Sequence, residues 1–268
     1  MPASRPDSKS NLTITTHQGF RLGFIGDGSP EHLDKLVEFL RQPTVAESDP
    51  LNGRVLAKVV ELPDWGSVVI KAYVRGGWMR YISHRRHLRS RESRAKKEFQ
   101  LLQTLHDEGF PVPQPLAWAE RGTLFVHKWL ILTEVPEAQT LAQIARNDPD
   151  RARDVLPRVR ELIRELIERR VHHVDLHPGN VLIDAESEVH LIDFDKGAVV
   201  TYTADDLRER YHRRWNRAIA KHDLPEVLQF NPHELHAPAS VETKRMPSGL
   251  QCLPFFAEWE PLLAALPF

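Results

Sequence analysis

The chain has almost no sulfur chemistry: one of its 268 residues is cysteine, Cys252. A lone thiol excludes an intrachain disulfide framework and suits a reducing compartment. Long apolar runs are missing too, so no transmembrane helix is predicted. Met1–Asn11 is polar and lacks an apolar stretch, which argues against a secretory signal. Together these absences predict a cytoplasmic protein. Charge of one sign is also lacking. The 36 Lys and Arg residues balance 37 Asp and Glu, for a formal net charge of −1. That balance gives no global basic excess for nucleic acid, and none is expected as a partner. No internal repeat is visible, and nothing in the sequence signals an oligomeric state.

What is present is enough chain to bury a full core, as one two-lobed domain or two small ones. The most informative stretch runs from His172 to Gly197. It reads H-H-V-D-L-H-P-G-N-V-L-I-D and then, after a short gap, H-L-I-D-F-D-K-G. Two apolar runs, Val181–Asp184 and Val189–Phe194, flank a polar turn at Ala185–Glu188, which predicts a hairpin. Asp175 precedes the first strand and Asp193 closes the second, so both carboxylates should meet at one end. Asn180 follows Asp175 by five positions, the H-x-D-x-x-x-x-N spacing of a kinase catalytic loop. Moving a γ-phosphoryl group needs metal ions on its oxygens and a carboxylate to take the proton of the attacking hydroxyl. In that chemistry Asp193 and Asn180 hold Mg²⁺, and Asp175 orients or deprotonates the acceptor.

Upstream, Met1–Ser10 is Ser/Pro-rich and reads as loose. Phe20–Ile25 has the pattern of a short strand. Ser29-Pro30 opens a helix with Leu33, Leu36, Val37 and Leu40 on one face. Arg54–Leu62 and Ser67–Tyr73 are β runs around a Pro63–Gly66 turn. The second contains Val68-Val69-Ile70-Lys71, similar to the V-A-I-K strand of kinases. A lysine inside an apolar strand needs a partner. Glu98 is nominated, in a helix from about Ser93 to Glu108 that ends at Gly109; Glu92 and Glu108 stay open under another register. Phe110–Pro115 reads as a stiff extended linker. Leu124–Leu132 reads as a strand leading to a hinge at Thr133–Pro136, where backbone near Glu134 and Val135 would meet adenine. Helices are then expected near Thr140–Arg146, over Asp154–Arg170 with a Val159, Leu162, Ile163, Leu166, Ile167 stripe, and from a Thr203–Asp206 cap to about Lys221. Beyond His222 prolines recur too often for long elements, and Phe255, Phe256, Trp259, Leu262, Leu263 and Leu266 are expected to pack back.

Two signatures are absent. No G-x-G-x-x-G covers the expected nucleotide; only Gly53 and Gly66 flank the first hairpin. No A-P-E triplet follows Gly197, which disfavours a phosphorylation-switched protein kinase. Arg75–Lys97 is the densest cationic segment, with Arg80, Arg85 and Arg86 among its arginines and Trp78, Met79, Tyr81 and Ile82 interleaved. Such a run is a solvated helix face, or a contact for an anionic substrate or membrane surface. Nucleic acid has no reader motif to support it.

The combination of Arg75-Gly76-Gly77 after the strand lysine, G-F-P-V-P-Q-P, L-T-E-V-P-x-A-x-T-L, H-V-D-L-H-P-G-N-V-L-I-D and L-I-D-F-D-K-G resembles the bacterial lipopolysaccharide core kinases, of the 3-deoxy-D-manno-octulosonic acid (Kdo) kinase and heptose kinase type. The likeness covers about Asn52 to Lys221. The D-F-D-K-G and G-F-P-V-P pieces are its most specific parts, whereas H-x-D-L-H-P-G-N is shared with aminoglycoside and choline-type phosphotransferases. The resemblance implies an α+β, two-lobed, protein-kinase-like fold. The expected division is a flexible segment 1–18, an N-lobe 19–135 and a C-lobe 136–268 with a Pro-rich extension. It further implies ATP with Mg²⁺, and a lipid A-linked inner-core sugar hydroxyl as acceptor at the cytoplasmic face of the inner membrane. Lys71 and Glu98 match the strand lysine and its helix partner, Asp175 the catalytic Asp, and Asn180 and Asp193 the metal ligands. The Arg75–Lys97 cluster would meet acceptor carboxylates and phosphates or lipid headgroups. Departures are the glycine-poor nucleotide loop and the longer tail. The rival functions are a soluble-acceptor phosphotransferase of the aminoglycoside or homoserine type, a Ser/Thr/Tyr protein kinase, and a membrane-bound pseudokinase scaffold.

Overall fold

The computed structural model describes residues 12–26, 29–42, 56–73, 93–122 and 126–236. The N-terminal part is one antiparallel six-stranded sheet. Its strands are β1 (Leu12–His17), β2 (Phe20–Ile25), β3 (Leu56–Leu62), β4 (Gly66–Ala72), β5 (Pro115–Arg121) and β6 (His127–Thr133), in the spatial order β1-β2-β5-β6-β4-β3. Alternation along each strand separates two jobs. Phe20, Leu22, Phe24, Val68, Ile70, Trp129 and Ile131 pack with the apolar stripe of α1 (Pro30–Arg41). Leu33, Leu36, Val37 and Leu40 form that stripe, and burying each contributes about 1.5–3 kcal/mol. Trp118, Leu130 and Leu132 join the other core, which continues into the C-terminal part. Gly23 lies opposite Trp118 in the ladder, and a Cβ there would fall 2.3 Å from the indole.

Helix α2 (Arg94–Asp107) packs on β5 and β6 through Phe99, Leu102 and Leu105. Its end is closed by Gly109 at φ 76°. The Gly109 N–H donates to His106 and the Phe110 N–H to Leu105, a Schellman arrangement. The C-terminal part is largely helical, with α3 (Leu141–Asn147), α4 (Pro149–Glu168) and α5 (Ala204–His222). Thr140 and Thr203 each form a capping box, with Gln143 and Asp206 respectively. Short strands β7 (Gln139–Thr140), β8 (Val171–His172), β9 (Val181–Ile183), β10 (Val189–Leu191) and β11 (Ala198–Val199) carry the functional loops. Antiparallel β9 and β10 are the hairpin anticipated from the sequence. This is the expected α+β, kinase-like arrangement. Among the described residues no helix is long and apolar enough to cross a membrane.

Several boundaries moved. Leu12–His17, placed within a flexible terminal segment, is a strand paired along its length with β2. Its β-branched run Thr13-Ile14-Thr15-Thr16 fits a sheet edge. The linker expected over Phe110–Pro115 runs into a strand that the sequence pattern did not mark, Pro115–Arg121, between β2 and β6. The strand expected from Leu124 begins at His127, with 123–125 outside the described residues. Helix α4 starts at Pro149 rather than Asp154, because Asp148 caps it by accepting from the Arg151 N–H. Gly53, the Arg75–Arg86 cluster and the Phe255–Leu266 apolar set lie outside the described residues.

Candidate active site

Lys71 sits on β4 in phase with Val69, opposite in facing to Val68 and Ile70, so the strand's alternation turns its side chain away from α1 and toward α2. It is 9% exposed. Its Nζ lies 2.7 Å from Glu98 Oε1 on α2 and 2.5 Å from Asp193 Oδ1. The second Glu98 oxygen accepts from the Tyr73 hydroxyl, and the Lys71 ammonium stands 5.2 Å from the Tyr73 ring centroid. Burial alone would lower the lysine, but the attraction of Glu98 and then Asp193 outweighs it, and Lys71 titrates above its ordinary value. Burial pushes Glu98 up against the pull of Lys71. Asp193 is held below the usual carboxylate range, because Lys71 overcomes the opposing effect of its burial. Of the three glutamates open from sequence, Glu98 meets Lys71. Glu108 pairs instead with Arg169 at 3.1 Å, and Glu92 lies outside the described residues.

Asp193 adopts φ 62°, a left-handed conformation costly for a residue with a Cβ. That turn ends the strand direction of β10 and aims the carboxylate at Lys71. The next residues fix the motif from both sides. Phe194 is fully buried, its ring 4.4 Å from His173, and Asp195 takes a forked contact from Arg94 of α2, with Nε 3.0 Å from Oδ1. The third position of D-F-D, where kinases usually carry glycine, thus ties the motif to α2.

The loop before β9 is held from beneath by α5. The buried Tyr211 hydroxyl donates to the Val171 carbonyl at 2.7 Å and accepts the His173 N–H at 2.9 Å. His173 Nε2 is 2.9 Å from the Ile192 carbonyl, one residue before Asp193. His177 caps the 3₁₀ turn Pro178–Asn180, its Nδ1 accepting from Gly179. Burial, then the Arg214 cation, lower His177 to about 4, so its ring is neutral. Asn180 Nδ2 donates to the Asp175 carbonyl at 2.9 Å, and the Ile192 N–H donates to the Asn180 carbonyl at 3.1 Å. These bonds set Asn180 beside Asp193 with its amide oxygen buried and without a hydrogen-bond partner. Asp175 is half exposed; its Oδ1 is 2.5 Å from Arg214 Nε and also contacts Nη2.

Lys71, Asn180 and Asp193 share one cleft. Ala57 and Val69 line it from the sheet, Leu182 and Ile192 from the hairpin, and Pro113, Leu132, Thr133 and Val135 close its back. The lining is mostly apolar, with Lys71, Asn180 and Asp193 as its polar groups, the make-up of a small-molecule site. At the hinge the Glu134 N–H donates to the Ser67 carbonyl at 3.2 Å and its carboxylate accepts from the Ser67 hydroxyl. Val135, the next residue, lines the cleft. The Arg75, Arg80, Arg85 and Arg86 contacts expected from sequence fall outside the described residues.

Sequence reasoning singled out Lys71, Glu98, Asp175, Asn180 and Asp193, and the structure brings Lys71, Glu98 and Asp193 into direct contact, with Asn180 in the same cleft. It missed Tyr73, Arg94, Asp195, Tyr211 and Arg214. Tyr73 and Asp195 stand beside motifs already noticed; the other three lie on helices with no local mark of their role.

Similarities to known proteins run along the same residues. The model of the lipopolysaccharide kinase (Kdo/WaaP) family matches residues 42–230. A 3-deoxy-D-manno-octulosonic acid kinase of Vibrio cholerae is 32% identical over 158 residues, covering 59% of this chain and 61% of that one. The enzyme of that name from Stenotrophomonas maltophilia is 31% identical over 176 residues, 63% and 68% of the two chains. The one from Vibrio parahaemolyticus is 31% identical over 197 residues, 72% and 76%. The chain therefore spans about three fifths of the Vibrio cholerae relative it matches. With the family match running through the lysine strand, the Asp175–Asn180 loop and the D-F-D turn, the chain belongs to the lipopolysaccharide kinase (Kdo/WaaP) family.

Proposed function

We propose that this chain is an ATP-dependent kinase that phosphorylates a hydroxyl of a 3-deoxy-D-manno-octulosonic acid residue of the lipopolysaccharide inner core. The observation that carries this reading is the buried Lys71 ammonium, bound to Glu98 and Asp193 at the end of an apolar slot. Burying a cation with two carboxylates is a poor stability device, and such a perturbed charge cluster in a cleft marks a functional site.

The roles follow from position. Lys71, braced by Glu98, holds phosphate oxygens of ATP. Val135 and the Glu134 carbonyl face the adenine, and the apolar walls exclude water from it. Asp175 orients the acceptor hydroxyl and takes its proton as oxygen attacks phosphorus. The donor set at the cleft end fits Mg²⁺. Asn180 offers a buried amide oxygen with no other partner, and Asp193 a carboxylate kept ionised beside it. One carboxylate and one amide are the sparse protein share this ion takes when phosphates supply further oxygens. Bound there, Mg²⁺ would neutralise charge on the phosphate oxygens. Lobes meeting at about residues 135 and 136 place the slot between them. Arg75, Arg80, Arg85 and Arg86 contact the acceptor's anionic groups and the anionic inner-membrane surface, holding the protein at its cytoplasmic face.

The test is a transfer assay with ATP and Mg²⁺ across three acceptors: a Kdo-bearing lipid A precursor, an aminoglycoside and a generic protein-kinase peptide. Phosphate on the first alone is the expected result. Transfer only to a soluble amino sugar or to peptide contradicts the proposal, and no ATP binding at all would favour a scaffold.

A further inference from the structure

We propose that Arg214 is a specificity residue: it grips the carboxylate of the acid-sugar acceptor, and in doing so releases Asp175 to receive the hydroxyl proton. This rests on the acceptor proposed above, whose name declares a carboxylic acid.

Arg214 lies on α5 and spends its Nε and Nη2 on a single oxygen of Asp175. One of the two carboxylate oxygens of Asp175 is therefore occupied by a guanidinium. Neither residue lines the nucleotide slot, and both keep solvent access, with Asp175 at 52% and Arg214 at 27%. The pair is thus open to a second substrate from solvent.

The fold does not depend on this contact. Helix α5 is already anchored by Tyr211 and by Trp215, whose indole N–H donates to the Leu228 carbonyl at 2.8 Å. An ion pair this open adds little to stability. The neighbouring arginines are engaged elsewhere. Arg208 contacts Asp205 and the Leu235 carbonyl, Arg210 stacks 4.2 Å from the Tyr202 ring, and Arg213 pairs with Glu209. Arg214 turns instead to the loop. An acidic sugar delivered to Asp175 brings like charge against Asp175 and Asp193, which opposes docking unless a cation lies between. A guanidinium carries five donors in a planar fork and suits a bidentate carboxylate. Exchanging Asp175 for the substrate carboxylate keeps Arg214 paired throughout and couples acceptor binding to the freeing of the base.

The experiment compares wild type, Arg214→Gln and Arg214→Lys on three acceptors: a Kdo-bearing lipid A precursor, its carboxamide, and the same precursor with lipid A phosphates removed. For Arg214→Gln the KM of the acidic acceptor should rise about 10- to 100-fold, the factor expected for a lost charge-assisted contact. The KM of ATP should stay unchanged, Arg214→Lys should recover part of the loss, and the wild-type advantage should vanish on the carboxamide. An equal fall in kcat on acid and amide, with KM unmoved, would overturn the proposal and leave Arg214 as a positioning residue for Asp175. A penalty that disappears on the phosphate-free acceptor instead would overturn it in favour of a phosphate grip. Failure of wild type to phosphorylate the acidic acceptor, with transfer to another, defeats the underlying acceptor assignment rather than the role of Arg214.

Discussion

Replacing Lys71 by Met keeps most of the side-chain stem and deletes the ammonium. Two carboxylates then face each other without their shared cation: Glu98, 2% exposed, and Asp193. Breaking a buried pair in this way costs about 3–5 kcal/mol at neutral pH. The loss should depend on pH, and its sign follows from Glu98. Burial already raises this group, and without Lys71 it rises further. A carboxyl with a raised folded-state pKa favours folding below its unfolded value, near 4.3, and loses that contribution as pH climbs through the folded value, at about 1.4 kcal/mol per unit. The variant can therefore protonate Glu98 in acid and recover stability there. Wild type responds less over the same window, since Lys71 stabilises the charged form. Urea unfolding followed by circular dichroism at pH 8 and pH 5 measures both gaps. We expect a difference of about 3–5 kcal/mol at pH 8, narrowing by about 2 kcal/mol at pH 5. Equal gaps at the two pH values, or a variant as stable as wild type at pH 8, would refute the reasoning.

Asn180→Leu preserves size but removes the free amide oxygen; it should abolish the Mg²⁺-dependent part of ATP affinity in calorimetric titration while metal-free binding changes little, and retention of the Mg²⁺ effect would remove Asn180 from the ion's ligands. Tyr211→Phe leaves the Val171 carbonyl and the His173 N–H unpaired in the core, so stability should drop by about 1–3 kcal/mol and transfer should weaken with it; an unshifted denaturation midpoint would show that the hydroxyl does not brace the loop. Gly23→Ala pushes a methyl into the Trp118 indole and should cost about 1–3 kcal/mol with a change in tryptophan emission, and a silent substitution would contradict the tight contact.

Much of the site was legible because chemistry had to interrupt a pattern. Lys71 breaks an apolar strand, and Asp175, Asn180 and Asp193 bracket a hairpin at a spacing the turn geometry enforces. Helix ends were equally readable where a side chain caps them, as at Ser29 and Thr203, or a glycine turns the backbone, as at Gly109. Strands β1 and β5 were not, since one is a polar edge strand and the other opens on proline, and each is defined by its neighbours in the sheet. Long-range pairings were the least visible. Arg214 is one of five arginines between 208 and 217 that look alike along the chain, and only the packing of α5 under the loop selects it for Asp175. Arg94 and Asp195 lie 101 positions apart, and periodicity specifies a face, not the residue met across it.

The central claim is that Asp175 performs the proton chemistry at a cleft whose nucleotide grip is independent of it. Single-turnover transfer from bound ATP to a Kdo-bearing acceptor, wild type against Asp175→Asn, tests this most directly. ATP affinity should be unchanged in the variant and its transfer rate lower by about a hundredfold or more. Transfer at the wild-type rate by Asp175→Asn would contradict it.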